Sequence, residues 1–181
     1  MARKKVKATK AEAVKTVATN VRVVDDVHQH VTRHGDPDDR WDRDSTASDH
    51  HIRGIEVTDG YFDLTVPFEV KEGHQYYLVY VIYDTGDSFG RDDGQITFLD
   101  LFESREKAEA LADAVSADYR GQSSFFGKGG KNVSHQVKYV REDGTECTCY
   151  TGTWKGYFEN YCGVSVEQVS VVYNYREKRG Y

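Results

Sequence analysis

The sequence predicts an α+β fold, an antiparallel or mixed sheet of about five or six strands with one principal helix on one face. Three observations predict it. Residues 62–70 alternate apolar and polar side chains with the two-residue period of a half-buried strand. Residues 75–83 form a nearly unbroken aromatic and β-branched run, as in a central strand. Residues 108–115 instead space their apolar side chains along one face of a helix.

The N-terminal residues are predicted to form a basic helical arm. Residues 4–24 alternate alanine and valine with lysine and threonine, a composition that suits a helix, and the arm is assigned to residues 1–24. Its apolar stripe is thin, and isolated helices of this length are marginal in water. We therefore expect an exposed helix, or one that forms on a partner.

Residues 25–52 are predicted to form an acidic, histidine-rich linker. They contain eight aspartates and five of the seven histidines, while Gly35 and Pro37 interrupt any periodicity. Such a segment is typical of a long loop. Trp41 is one of its few large apolar residues, so it is expected to attach the loop to the body.

The α+β body is assigned to residues 53–181. Pro67 cannot donate to a strand ladder, so the first strand is expected at a sheet edge. The central strand over 75–83 is followed by a polar loop over 84–94 and by a third strand over 95–102.

The second half of the body contains the helix and a hairpin. Ser104 is the predicted N-cap, and Gly121 is expected to end the helix. Asp143-Gly144 separates two β-favouring runs, which predicts a hairpin with a two-residue loop. Residues 164–175 supply one or two further strands.

The charge of the chain is divided unequally. Residues 1–22 carry seven Lys/Arg and one Glu, a net +6, whereas the remaining residues carry 17 Lys/Arg and 29 Asp/Glu, a net −12. A basic arm on an acidic body suggests an interaction tail or a partner surface. The acidic body disfavours nonspecific adhesion to nucleic acid or anionic lipid.

No run is long and apolar enough to span a bilayer, and the basic N-terminus lacks the apolar segment of a secretory signal. We therefore expect no membrane partner and a cytoplasmic location. Three cysteines do not make a disulfide framework. Cys147, Cys149 and Cys162 are interpreted as buried thiols that pack as small apolar groups.

Two clusters of the sequence are candidate metal sites. The segment 84–94 holds four aspartates and three glycines, but its spacing matches no calcium-loop pattern. His28 and His30 would lie on one side of an extended segment, yet no zinc spacing is present. The sequence also lacks a P-loop around Gly127–Asn132. It predicts no catalytic residue, no bound metal and no cofactor.

Aromatic residues are the other candidate for a partner surface. Many of the thirteen tyrosines lie in or beside predicted strands, where they either pack in the core or form a docking face. Residues 154–159 concentrate large aromatics around a glycine, a composition typical of an interface hot spot.

The segment Tyr83-Asp84-Thr85-Gly86-Asp87-Ser88-Phe89-Gly90, with its following strand and the helix containing Lys107-Ala108, resembles small uncharacterised proteins encoded by bacteriophages. Residues 154–159 are similar to a second short element of such proteins. The resemblance covers pieces of residues 76–160 and includes no catalytic motif. It implies a viral accessory origin.

These features together predict a non-enzymatic binding protein of phage origin. Its acidic, tyrosine-rich surface would dock on a host or phage macromolecule and could inhibit a nucleic-acid-binding host enzyme or defence system. The predicted partner-binding residues are Asp84, Asp87, Phe89, Asp92, Asp93, Trp154 and Tyr157.

Two alternatives stay open at this point. The first is a nucleic-acid-associated or virion structural protein that binds through residues 1–22. Its contact residues would be Arg3, Lys4, Lys5, Lys7 and Lys10. The second is a metal-dependent hydrolase that uses the Asp/His clusters.

Overall fold

The computed structural model describes residues 17–34, 43–87, 90–121, 134–153 and 160–172. Within these ranges the chain forms a six-stranded mixed sheet, a separate two-stranded sheet and one helix, as an α+β fold. The elements are β1 (Thr19–His34), β2 (Arg43–Val57), β3 (Leu64–Val66), β4 (Gln75–Asp87), β5 (Gly90–Phe102), α1 (Arg105–Gly121), β6 (Ser134–Val140), β7 (Glu146–Thr153) and β8 (Asn160–Ser170).

The strand order in the large sheet is β3-β1-β2-β5-β4-β8, and the small sheet pairs β6 with β7. β4 lies between β5 and β8 and is antiparallel to both. Its two faces contribute to two different cores, since Leu78 belongs to one apolar cluster and Val79 to the other. Burial on both faces explains why residues 75–83 show an unbroken apolar run.

The first core lies between β4, β5 and β8 on one side and the long β1–β2 hairpin on the other. β2 runs parallel to β5 at Ser45–Ala47, and farther along Ile55 forms a parallel bridge with Val171 beyond the end of β8. β2 therefore runs across the face that β5, β4 and β8 form. The buried residues between the layers are Val21, Val23, Ile52, Ile55, Leu64, Val66, Val70, Tyr76, Leu78, Leu101 and Val169.

The second core is covered by α1 and by the β6–β7 hairpin. Ala108, Leu111 and Val115 of the helix are buried against Val79 and Val81 of β4. The predicted N-cap is confirmed, because the backbone N–H of Lys107 donates to Ser104 Oγ over 3.3 Å. The helix ends at Gly121, as expected from the sequence.

The predicted edge strand is confirmed but short. β3 occupies an edge of the six-stranded sheet and pairs with Thr19–Val21 of β1. Leu64 and Val66 are buried while Thr65 between them is exposed, which is the expected period of two. The strand ends immediately before Pro67, which has no backbone N–H to continue the ladder.

The interpretation of residues 25–52 as a linker is wrong over the part that the structure describes. Residues 25–34 belong to β1 and residues 43–52 to β2, and the two strands pair antiparallel. The helical prediction is likewise wrong over residues 19–24, which begin β1. Polar residues on both faces of the outer half of this hairpin hide the alternation that usually marks a strand. Residues 1–16 and Trp41 lie outside the described residues.

The turns differ from expectation in two places. Most of the predicted polar loop over 84–94 is strand, because β4 continues to Asp87 and β5 begins at Gly90. The hairpin at Asp143-Gly144 is confirmed, but its connection spans residues 141–145 instead of two residues. In that turn the Thr145 N–H donates to Asp143 Oδ1 over 3.0 Å, and its hydroxyl donates to the same carboxylate.

No helix in the described ranges has both the length and the apolar character needed to cross a bilayer.

The three cysteines differ in exposure, so the interpretation that all are buried is right for Cys149 and wrong for Cys162, which is exposed. Burial raises the pKa of the Cys149 thiol to about 11. At about pH 8 we expect iodoacetamide to alkylate Cys162 and to leave Cys149 unmodified until the protein unfolds, because the thiolate is the nucleophile. Mass spectrometry of the folded and urea-unfolded protein measures this. Equal labelling rates for the two thiols in the folded protein would contradict it.

Candidate functional site

Four of the predicted partner-binding residues lie together at one end of the β4–β5 pair. Asp84 and Asp87 are on β4, while Asp92 and Asp93 are on β5. The register sets Thr85 opposite Asp92 and Asp87 opposite Gly90. Residues 84–87 and 90–94 are called the acidic hairpin below. It contains four aspartates and one arginine, so its formal charge is −3.

A glycine and an aspartate fix the base of the acidic hairpin. Gly94 has φ +72°, a left-handed conformation that favours glycine, and its N–H donates to Asp84 Oδ1 over 3.1 Å. A Cβ at Gly94 would lie 2.5 Å from the carbonyl oxygen of Ser48. The backbone of β5 at Gly94 thus lies so close to β2 that a residue with a side chain would not fit there.

β2 supports the β5 arm of the acidic hairpin. Ser45–Ala47 pair with Arg91–Asp93 in parallel, and Gln95 Nε2 donates to Ser48 Oγ over 3.3 Å. The hairpin is therefore a continuation of the sheet and not an independent loop. Asp92 is exposed on it, and Asp84 and Asp93 are half-buried.

The other predicted binding residues are not brought into this site by the described structure. Phe89, Trp154 and Tyr157 lie outside the described residues. So do the alternative nucleic-acid contacts Arg3, Lys4, Lys5, Lys7 and Lys10. Contacts through these residues stay predictions.

The tyrosines of the strands serve mainly the two cores. Tyr76 is buried, and most other described tyrosines pack against an apolar cluster. Those partly buried ones are Tyr77, Tyr80, Tyr83, Tyr139 and Tyr161. Tyr61, in the connection before β3, is instead 78% exposed. Strand propensity and packing account for the tyrosines of the strands better than a docking face does.

The structure reveals a polar cluster on the inner side of the β1–β2 hairpin that the sequence interpretation missed. His50 Nδ1 lies 2.5 Å from Asp25 Oδ2, and the two side chains are only 15% and 13% exposed. Asp25 Oδ1 and His50 Nε2 are buried and have no hydrogen-bond partner among the described residues. The imidazole and the carboxylate are therefore joined by a hydrogen bond inside the fold.

A second polar pair faces the same interior. The Tyr80 hydroxyl donates to Glu167 Oε2 over 3.1 Å, and its ring packs edge-on against Phe98. Burial is the main cause that raises the pKa of Tyr80, with further contributions from the negative charges of Glu167 and Asp25. The sequence of residues 25–52 is typical of a linker, so no local signal places Asp25 and His50 inside the fold.

The predicted alignment of His28 and His30 is confirmed. Their rings stack at 6.2 Å on the outer face of β1, and His30 Nδ1 lies 3.5 Å from Asp49 Oδ2. No group of three or more His, Cys, Asp or Glu side chains suited to a metal ion occurs in the described part of the chain.

Comparison with known proteins gives no relative: no family model, no curated protein and no solved structure matches this chain.

Proposed function

We propose that this chain is a non-enzymatic binding protein that docks its acidic hairpin on a positively charged macromolecule. Phage origin and action in the host cytoplasm belong to the same proposal. The observation that supports it most is the position of four aspartates on a stretch of backbone held in the sheet. A basic nucleic-acid groove on a host enzyme is the kind of surface that such a structure would occupy and block.

Charge supports this proposal over a purely structural role for the hairpin. Residues 23–181 carry a net −12, so the acidic hairpin lies on a body whose overall field has the same sign. Like charges crowded at one end of a hairpin destabilise the fold slightly. That arrangement is useful where a positive partner compensates it, because complementary potentials accelerate encounter and suppress wrong partners.

Rigidity supports it as well. A flexible acidic loop would lose conformational entropy on binding, whereas Gly94, Asp84 and the parallel contact with β2 already fix this segment. Exposed Asp92 is thereby presented from a defined backbone. The proposal rests on this segment and not on the tyrosines.

Neutralisation of the acidic hairpin tests the proposal. The immobilised full-length chain is exposed to host lysate at low and high salt, and the retained proteins are quantified for wild type and for the double variant Asp87→Asn/Asp92→Asn. We expect a stoichiometric basic partner to be retained at low salt and released at high salt. The double variant should lose at least about tenfold in affinity, because two charge contacts are removed.

Asp59→Asn/Asp113→Asn is the matched control. Both aspartates are exposed and lie outside the acidic hairpin, so this pair removes the same total charge. It should retain the partner. Equal losses in both double variants would show that only overall charge matters, and a retained partner in the hairpin variant would refute the proposed surface.

A further inference from the structure

One side of β1 is open over most of its length in the described structure. β3 pairs only with Thr19–Val21, and the next backbone donor, the Val23 N–H, donates to Asp63 Oδ2 over 2.7 Å. From residue 25 to residue 33, none of the described strands pairs with this side of β1. Exposed strand edges of this length accept further strands.

The backbone groups on the open side can be assigned. The carbonyl of Asn20 accepts from Thr58 on the β2 side, whereas the Val21 carbonyl accepts from the Asp63 N–H on the other side. Hydrogen-bonding direction alternates along a strand. Residues with odd numbers, from 25 to 31, therefore direct their N–H and C=O groups toward the open side.

The side chains along this edge fall into two classes. Val27 and Val31 lie on the inner face of the hairpin and are 49% and 63% exposed. On the outer face the charges already have partners within the chain, since Asp26 pairs with Arg53 and His30 with Asp49. The two valines are thus the part of the edge that gains most from a further strand.

We infer that the occupant of this edge is a second copy of the chain, paired β1 to β1 in antiparallel register about a two-fold axis at Gln29. In that register Val27 of each copy lies opposite Val31 of the other, and Gln29 faces its own counterpart. Asp25 falls opposite Arg33 at each end of the paired segment, where the Asp25 carboxylate keeps its buried pair with His50. Cross-strand pairs of β-branched side chains stabilise antiparallel strands.

The neighbouring register fits less well. A two-fold axis at His28 would set Val31 opposite Asp25 and Val27 opposite Gln29. Each valine would then face a polar side chain. An axis at Gln29 avoids this mismatch. The inferred contact is one strand wide, so we expect a dimer weaker than those with standard interfaces. This inference does not depend on the proposed function.

Sedimentation velocity of the full chain tests for the dimer. Between about 1 µM and 100 µM we expect the wild type to shift from monomer to dimer, the range expected for a small interface. Val27→Lys/Val31→Lys places charges on the edge and should raise the dissociation constant at least about tenfold. Val57→Lys is the control, since Val57 is 52% exposed outside this segment and its variant should dimerise normally. A wild type that stays monomeric throughout this range would overturn the inference.

Disulfide trapping tests the register. Residues facing each other in a hydrogen-bonded antiparallel pair have Cα atoms about 5.5 Å apart, which suits a disulfide. In a Cys162→Ser background we expect Gln29→Cys to give a covalent dimer under mild oxidation. His28→Cys, one position away, should give much less. Trapping through His28→Cys alone would overturn the Gln29 axis, and trapping through neither variant would overturn the strand pairing.

Discussion

Replacement of Asp100 by alanine is expected to lower the free energy of unfolding by about 3–5 kcal/mol, because it leaves a charged guanidinium without its buried partner. Asp100 is 1% exposed and accepts from Arg141 Nε over 2.7 Å and from Arg141 Nη2 over 2.5 Å. Two further donors, the Tyr139 hydroxyl and the Leu101 N–H, complete its coordination.

The same group of residues joins separate parts of the fold. Arg141 follows β6 and also donates through Nη2 to the Thr65 carbonyl of β3. It therefore connects the β6–β7 hairpin to the six-stranded sheet. Burial alone would lower the pKa of Arg141, but hydrogen bonds and the charge of Asp100 outweigh it and raise that pKa. Burial, followed by the hydrogen bond to Asp100, raises the pKa of Tyr139.

Urea denaturation measures the effect. Asp113→Ala, at an exposed position of α1, serves as the control and should change the free energy of unfolding by less than about 0.5 kcal/mol. The paired replacement Asp100→Leu/Arg141→Met should recover much of the loss, since it removes both charges. An Asp100→Ala protein as stable as the wild type would show that the buried pair contributes little.

Replacement of Gly54 by alanine is expected to cost about 3 kcal/mol, at the upper end of the usual range for overpacking. Gly54 adjoins Arg53, the extra residue where the β1–β2 register shifts. A Cβ at position 54 would lie 2.5 Å from the Ser170 carbonyl oxygen and 2.6 Å from Val172 Cγ1. Backbone must move to relieve the first contact, and β2 would separate from the end of β8.

Gly73→Ala separates this steric effect from backbone strain. Gly73 has φ +75°, and a Cβ at this position would have no atom within 4 Å. Alanine there should therefore cost only about 1 kcal/mol, because its left-handed backbone conformation is unfavourable. Thermal and urea unfolding of the two variants provide the comparison. A Gly54→Ala loss no larger than that of Gly73→Ala would show that the β2–β8 approach is easily relaxed.

The sequence predicted those elements that are determined by residues close to one another along the chain. The unbroken run of β4, the Ser104 cap and the hairpin around Gly144 follow from strand burial, capping and turn chemistry. Each depends on residues within a few positions of one another. The short β3 strand was also predictable, because Leu64 and Val66 keep a clear alternation.

The β1–β2 hairpin was not predictable in the same way. Its outer face carries His28, His30 and Asp49, and its inner face becomes polar at Asp25 and His50. Polar residues on both faces obscure the period of two, and clustered aspartates suggest a loop. Only tertiary contacts with β5 and β8 reveal that this segment belongs to the sheet.

The candidate site was predicted in part. The carboxylates of the acidic hairpin were identified because they are close in sequence, although their strand conformation was not. The Asp25–His50 pair and the Asp100–Arg141 pair join residues 25 and 41 positions apart. Such pairings arise only from the topology, so charge and spacing along one sequence do not reveal them.

The bridge between Ile55 and Val171 has a consequence for how the polypeptide reaches its native state. These residues are more than a hundred positions apart, and the Val172 N–H donates to the Ile55 carbonyl over 2.9 Å. On the ribosome, β2 emerges long before its second neighbour is synthesised. The first core therefore stays open to water until the C-terminal strand arrives, which favours slow folding with a late docking step.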